Sequence, residues 1–229
     1  MLDLTRFKFQ YITNSDEKYS HIDGAKLALD GGCRWIQLRI KIEKNINQQY
    51  DKTQYEKIIS TAFELKELCK KYDAIFIIDD YVEIMKEVES DGVHLGKNDM
   101  PIKQAREILG DNFIIGSTAN TVSDIINLSA QCVDYIGLGP FRFTETKKNL
   151  SEILGIDGYK KIFSELQQLK ISIPIVAIGG ITKNDISTIL GVGANGIAVS
   201  GAIINSDNPE QETNIIKNVI YMQFYNEQI

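Results

Sequence analysis

The chain has 229 residues, 43% of them hydrophobic and 24% charged, which is enough for one substantial core and ordinary for a globular protein. Lys and Arg number 25 against 31 Asp and Glu, giving a net charge of -6 with no long basic run, which disfavours a nucleic-acid partner. Cys33, Cys69 and Cys132 are odd in number, far apart and form no C-x-x-C pair, so they are expected to be small core or semi-buried residues in a reducing compartment, not a disulfide framework or a zinc site.

At the N-terminus, Asp3, Arg6 and Lys8 break up the apolar residues that a secretion signal would need. No later segment approaches the roughly 18 apolar residues of a membrane span. The expectation is a soluble, cytoplasmic protein with no membrane partner.

From there, short apolar runs alternate with longer amphipathic stretches. Phe9 to Thr13 precedes a helix over Ile22-Leu29, Arg34 to Leu38 one over Tyr55-Tyr72, Ala74 to Ile78 one over Val82-Glu89, and Gly92 to Leu95 one over Ile102-Leu109. Phe113 to Gly116 precedes Val122-Ala130, Val133 to Leu138 precedes Gly158-Leu169, Ile173 to Ile178 precedes Asn184-Leu190, and Gly196 to Val199 precedes Pro209-Phe224. Near-continuous apolar strands joined through helices imply a parallel sheet, and eight such units imply a closed (β/α)8 TIM barrel. No composition shift or linker divides residues 1–229, so one domain is expected. The polar stretch from Lys41 to Thr53 reads as a solvated loop or as a lid over the barrel mouth, with the solvated loop favoured on general grounds.

In such a barrel the carboxyl ends of the strands carry the chemistry. After the second strand, alternation sends Gln37, Arg39 and Lys41 to one side, an amide and two cations suited to an anion of more than one charge. The third strand ends at Asp79 and Asp80, and the fourth runs through His94 towards Asp99. Asp80 and Asp99 as a pair suit a hard divalent cation, while either one taken alone reads better as a helix cap, before Val82 or Pro101. His94 stays unassigned, and His21 reads as structural. Thr118, after the fifth strand, can donate to phosphate or cap a helix. After the sixth strand, Thr144, Thr146, Lys147 and Lys148 offer hydroxyls and ammonium groups. The loops carrying Gly179-Gly180 and Ser200-Gly201, after strands seven and eight, hold the recurrent phosphate site of this fold.

Taken in order, Gln37-Leu38-Arg39-x-Lys41, Asp79-Asp80, Gly92-Val93-His94-Leu95-Gly96 with Asp99, Gly137-Leu138-Gly139-Pro140, Thr144-Glu145-Thr146-Lys147-Lys148 and Gly179-Gly180-Ile181-Thr182 resemble thiamine phosphate synthase. That resemblance implies a transferase of thiamine biosynthesis that joins 4-amino-2-methyl-5-hydroxymethylpyrimidine diphosphate to 4-methyl-5-(2-hydroxyethyl)thiazole phosphate through a dissociative pyrimidine-methyl cation, releasing pyrophosphate. It implies that Gln37, Arg39, Lys41, Asp79, Thr118 and Lys147 hold the pyrimidine diphosphate, with Arg39, Lys41 and Lys147 as the catalytic cations. It further implies Mg2+ on Asp80 and Asp99, and thiazole phosphate on Thr144, Thr146, Gly180, Ser200 and Gly201. Asp79 stands where the family usually has asparagine, and Arg142 adds a cation to the turn before Thr144. A thiazole tautomerase-like barrel or a non-catalytic phosphate-binding module are the competing readings. The implied partners are two small phosphorylated heterocycles, and a homo-oligomer stays open.

Overall fold

A computed structural model describes residues 8–42, 51–144 and 151–226, the side chains of 225 and 226 excepted. Among these residues eight parallel strands close into a barrel in sequence order: β1 (Phe9–Ile12), β2 (Trp35–Leu38), β3 (Ile75–Asp79), β4 (Gly92–Leu95), β5 (Ile114–Ala119), β6 (Tyr135–Leu138), β7 (Ile175–Ile178) and β8 (Gly196–Val199). β1 pairs with β8 through Tyr11 and Val199, which removes the sheet edge. Helices α1 (His21–Asp30), α2 (Lys52–Lys71), α3 (Val82–Val88), α4 (Ile102–Leu109), α5 (Val122–Ser129), α6 (Gly155–Gln168), α7 (Ile186–Gly191) and α9 (Pro209–Asn226) follow the strands, with the single turn α8 (Gly201–Ile204) between β8 and α9.

The expected strand order and count are borne out, with differences at the ends. β5 runs on through Thr118 and Ala119, which pair with Gly137 and Leu138 of β6. The stretch expected as a loop up to Thr53 is already helical from Lys52, because Asp51 caps α2 by accepting the Gln54 N–H. Residues 43–50 of that stretch lie outside the described residues. α8, four residues long, carried no periodic signal.

Strand alternation sorts the core into two sets. Ile36, Leu38, Phe76, Ile78 and Val93 face the helices, while Trp35, Ile75, Ile77, Ile114, Tyr135 and Val176 fill the barrel interior. The same alternation points Gln10 and Gln37, then Asp79, His94 and Thr118, inward and upward towards the carboxyl-end mouth. Cys33 and Cys69 belong to the outer core, whereas Cys132 is exposed and not semi-buried as expected. Among the described residues no helix is long and apolar enough to cross a membrane.

Candidate active site

The carboxyl ends of the strands enclose a cavity of about 360 Å³. Its wall includes Arg39 after β2, His94 on β4, Thr118 on β5, Thr144 after β6, Gly180 after β7, and Ser200 and Gly201 after β8. Apart from His94, these are six of the candidate site residues from the sequence, contributed by five strands or the loops that follow them, and they meet around one space. Thr146 and Lys147, with their neighbour Lys148, lie outside the described residues.

Against the β2–β4 side of the mouth sits a cluster of charges. Asp79 is only 5% exposed and accepts from Gln37 Nε2 at 2.7 Å. Lys41 Nζ lies 3.1 Å from Asp79 Oδ2 and also bonds Asp80, while Arg39 Nε lies 3.6 Å from Asp79 Oδ2. Burial, then the Asp80 charge, pushes the Asp79 carboxyl up to about 6 despite both cations. Asp99 is likewise pushed up to about 6, by burial and by its hydrogen bond to Asp80. Two carboxyl groups in contact disfavour double ionisation.

Asp80 holds a left-handed backbone (φ 68°), which Asp tolerates better than most residues, with its N–H donating to the His94 carbonyl at 2.8 Å. Capping explains neither aspartate. α3 is preceded by Tyr81 and α4 by Pro101, neither helix has a side-chain cap, and Asp99 instead accepts the Gly96 N–H at 2.7 Å. Among the described residues no group of three or more His, Cys, Asp or Glu side chains is placed to hold a metal ion. Asp80 and Asp99, in contact with each other, nonetheless supply hard oxygen donors whose mutual repulsion a divalent cation would relieve, so this pair fits magnesium with water and ligand oxygens completing the shell.

The opposite wall is built from backbone and hydroxyls. Gly179 and Gly180 have φ of 97° and 66°, and a Cβ on Gly180 would lie 2.7 Å from the Phe143 carbonyl. Only glycine lets these two loops approach so closely. Arg142 holds them together, donating to the Gly180 carbonyl at 2.8 Å and to both Asp185 oxygens at 2.8 and 2.9 Å. Asp185 also accepts the Thr182 N–H and hydroxyl. The extra cation in this turn is therefore a clasp. Ser200 Oγ is buried and makes no hydrogen bond among the described residues. An unsatisfied buried hydroxyl beside Gly180 and Gly201 fits a phosphate oxygen as its partner.

Asn120, Ser151 and Asn205 are among the cavity-wall residues that carried no assignment in the sequence. Asn120 bonds the Gly139 carbonyl and accepts from Ser151 Oγ at 2.9 Å, tying the segment after β6 to β5. Asn205 adds an amide from the end of α8. No local pattern marks Ser151 or Asn205.

The family model described as thiamine monophosphate synthase matches residues 9–203. A thiamine-phosphate synthase of Bacteroides thetaiotaomicron is 49% identical over 210 residues, covering 92% of this chain and 96% of that protein. One from Bacteroides fragilis is 50% identical over 210 residues, with 92% and 98% covered. The solved structure of a thiamine phosphate pyrophosphorylase from Pyrococcus furiosus superposes with a TM-score of 0.80 at 29% identity, over 96% of this chain and 98% of that one. With the barrel and the charged mouth in place, these matches are decisive: the chain belongs to the thiamine monophosphate synthase family, transferases of thiamine biosynthesis.

Proposed function

We propose that the barrel condenses 4-amino-2-methyl-5-hydroxymethylpyrimidine diphosphate with 4-methyl-5-(2-hydroxyethyl)thiazole phosphate, giving thiamine phosphate and pyrophosphate. The observation that carries this reading is that Arg39, which shares Asp79 with the neighbouring Lys41, lines the same cavity as Gly180 and Ser200, so a cationic side and a backbone-and-hydroxyl side meet around one space. A reaction between a diphosphate and a monophosphate needs both.

Asp80 and Asp99 would hold Mg2+, with Asp79 beside them; the ion, when bound, neutralises charge on the departing pyrophosphate. Arg39 and Lys41 stabilise the same developing charge, and Lys147 would join them. Gln37 and Thr118 orient the pyrimidine substrate. Thr144, Thr146, Gly180, Ser200 and Gly201 hold the thiazole phosphate, which sets the thiazole nitrogen against the pyrimidine-methyl cation as it forms. The apolar part of the wall, including Ile12, Ile178 and Val199, keeps water from capturing that cation first. No side chain has to act as a nucleophile.

Incubating the purified protein with both substrates tests this, with thiamine phosphate and pyrophosphate measured with and without magnesium. Product in magnesium and none in chelator is expected. Thiazole isomerisation without metal, and no condensation, would make the protein a tautomerase; binding of both phosphates without turnover would make it a binding module.

A further inference from the structure

β1 ends at Ile12, yet its hydrogen bonding to β2 continues past that end, and the last bond is made by a side chain. The Thr13 N–H donates to the Gln37 carbonyl at 2.9 Å. In a parallel ladder the next bond would take the Arg39 N–H to the Thr13 carbonyl. It goes instead to Thr13 Oγ1, at 3.1 Å. Thr13 is fully buried, and His21 Nδ1, at the first position of α1, lies 2.8 Å from the same oxygen.

Arg39 is the first residue beyond β2, and its side chain lines the cavity. The direction in which the chain leaves β2 decides where that side chain points, and the bond from the Arg39 N–H holds the chain at that place. Three residues on, the Ile42 N–H donates to the Tyr81 hydroxyl at 3.1 Å. Arg39, Ile40 and Lys41 therefore span the gap between two side-chain hydroxyls. A threonine hydroxyl can rotate among staggered wells, and contact with His21 favours the one that serves Arg39. Burial, then the Lys57 and Arg39 charges, hold His21 down to about 4, so at neutral pH the ring is a hydrogen-bond partner and not a further cation for an anionic ligand. Either tautomer of a neutral ring can meet a hydroxyl, which both donates and accepts.

We propose that Thr13 is a positioning residue for Arg39, its hydroxyl oriented by His21, so that the chain leaving β2 delivers the guanidinium to the diphosphate. The diphosphate end of this inference rests on the function proposed above; the backbone end does not.

Thr13→Val keeps the shape of the side chain and removes the oxygen. It should lower kcat/KM for the pyrimidine diphosphate about tenfold, the scale of one hydrogen bond, and leave KM for thiazole phosphate unchanged. Thr13→Ser, which keeps the hydroxyl, should lose little. His21→Leu should cost about threefold, the lower end of the same scale, and nothing further when added to Thr13→Val. In an Arg39→Ala background Thr13→Val should cost little more, because the residue through which it acts is gone. An equal loss in both backgrounds, or a matching rise in KM for thiazole phosphate, overturns the proposal. Should Thr13→Val not fold, His21→Leu at its half-buried position decides with the same two substrates: a loss confined to the pyrimidine diphosphate supports the proposal, and no loss overturns it. Should the wild type form no thiamine phosphate, the series is read as affinity for inorganic pyrophosphate with magnesium, so failure of the reaction and failure of the positioning are separate results.

Discussion

Lys41 Nζ stands 3.1 Å from Asp79 Oδ2, so the ammonium proposed to hold a diphosphate is already paired within the protein. Arg39 leans on the same oxygen. An incoming diphosphate has to compete with Asp79 for both cations. Asp79→Asn keeps an oxygen for Gln37 while removing the competing charge, and is expected to lower KM for the pyrimidine diphosphate roughly fivefold, about the worth of one half-exposed ion pair. Steady-state kinetics at saturating magnesium decide it. A lower kcat with a raised magnesium requirement would instead make Asp79 a ligand of the metal.

Asp79 and Asp99 are both pushed up to about 6 in the folded chain, against an ordinary value near 3.8. Between those values the native state holds more protons than the unfolded state, so these groups lower stability as pH rises from about 4 to about 6. A bound divalent cation acts against that loss, because it prefers the ionised carboxylates. Magnesium should therefore raise Tm little at pH 5 and clearly at pH 7.5, where a hundredfold excess over Kd adds about 2.7 kcal/mol or roughly 5–10 °C for a chain of this size. Thermal melts at the two pH values, with calcium-free buffers and a chelator control, check the sign. An equal rise at both would separate magnesium binding from this cluster.

Arg142 grips Asp185 through both guanidinium nitrogens and the Gly180 carbonyl through one. Its hydrogen bonds are the main reason that Asp185 is held down at about 2. Arg142→Met should cost under about 1 kcal/mol at neutral pH, as expected for a largely solvated pair. The cost should fade as pH drops from about 4 towards 2, because the contribution of a depressed carboxylate is present above its unfolded value and lost below. The larger effect should fall on the ligand: with the Gly180 loop unclasped, KM for thiazole phosphate rises while that for the pyrimidine diphosphate stays put. A uniform rise in both would mean that the clasp supports the whole mouth.

The barrel was legible because its strands are short, mostly apolar and separated by helical periods. Alternation from Gln37 to Lys41, a local rule, put three side chains on one side, and all three meet Asp79. That Asp80 and Asp99 do not cap helices was not legible locally: it turned on Tyr81 and Pro101 standing at the helix starts and on the Asp99 carboxylate accepting the Gly96 N–H. Gln10 and Tyr135 sit inside apolar runs, where nothing in their neighbours marks them as partners of Gln37 and His94. Arg142 and Asp185 are 43 residues apart and meet only because β6 and β7 are adjacent. Contacts of that kind come from closure of the barrel, not from any pattern along the chain.

Ser200 separates a ligand contact from a structural one through the sign of two effects. Its buried hydroxyl has no partner among the described residues, so the ligand-free protein bears a desolvation cost of about 1–3 kcal/mol for that group. Replacing it with alanine removes the unsatisfied oxygen and leaves a space only about one atom in size. Ser200→Ala should therefore leave the Tm of the ligand-free protein unchanged or raised, by up to about 2–4 °C for each kcal/mol regained. If the hydroxyl serves the thiazole phosphate, the same variant should raise KM for that substrate about tenfold, since a hydrogen bond to a charged oxygen is lost. Stabilisation by added thiazole phosphate should shrink in step, as binding to the native state alone requires. A variant that melts earlier and binds the phosphate normally would assign Ser200 to the framework of β8 and α8, leaving the Gly180 and Gly201 backbone to hold the phosphate without it.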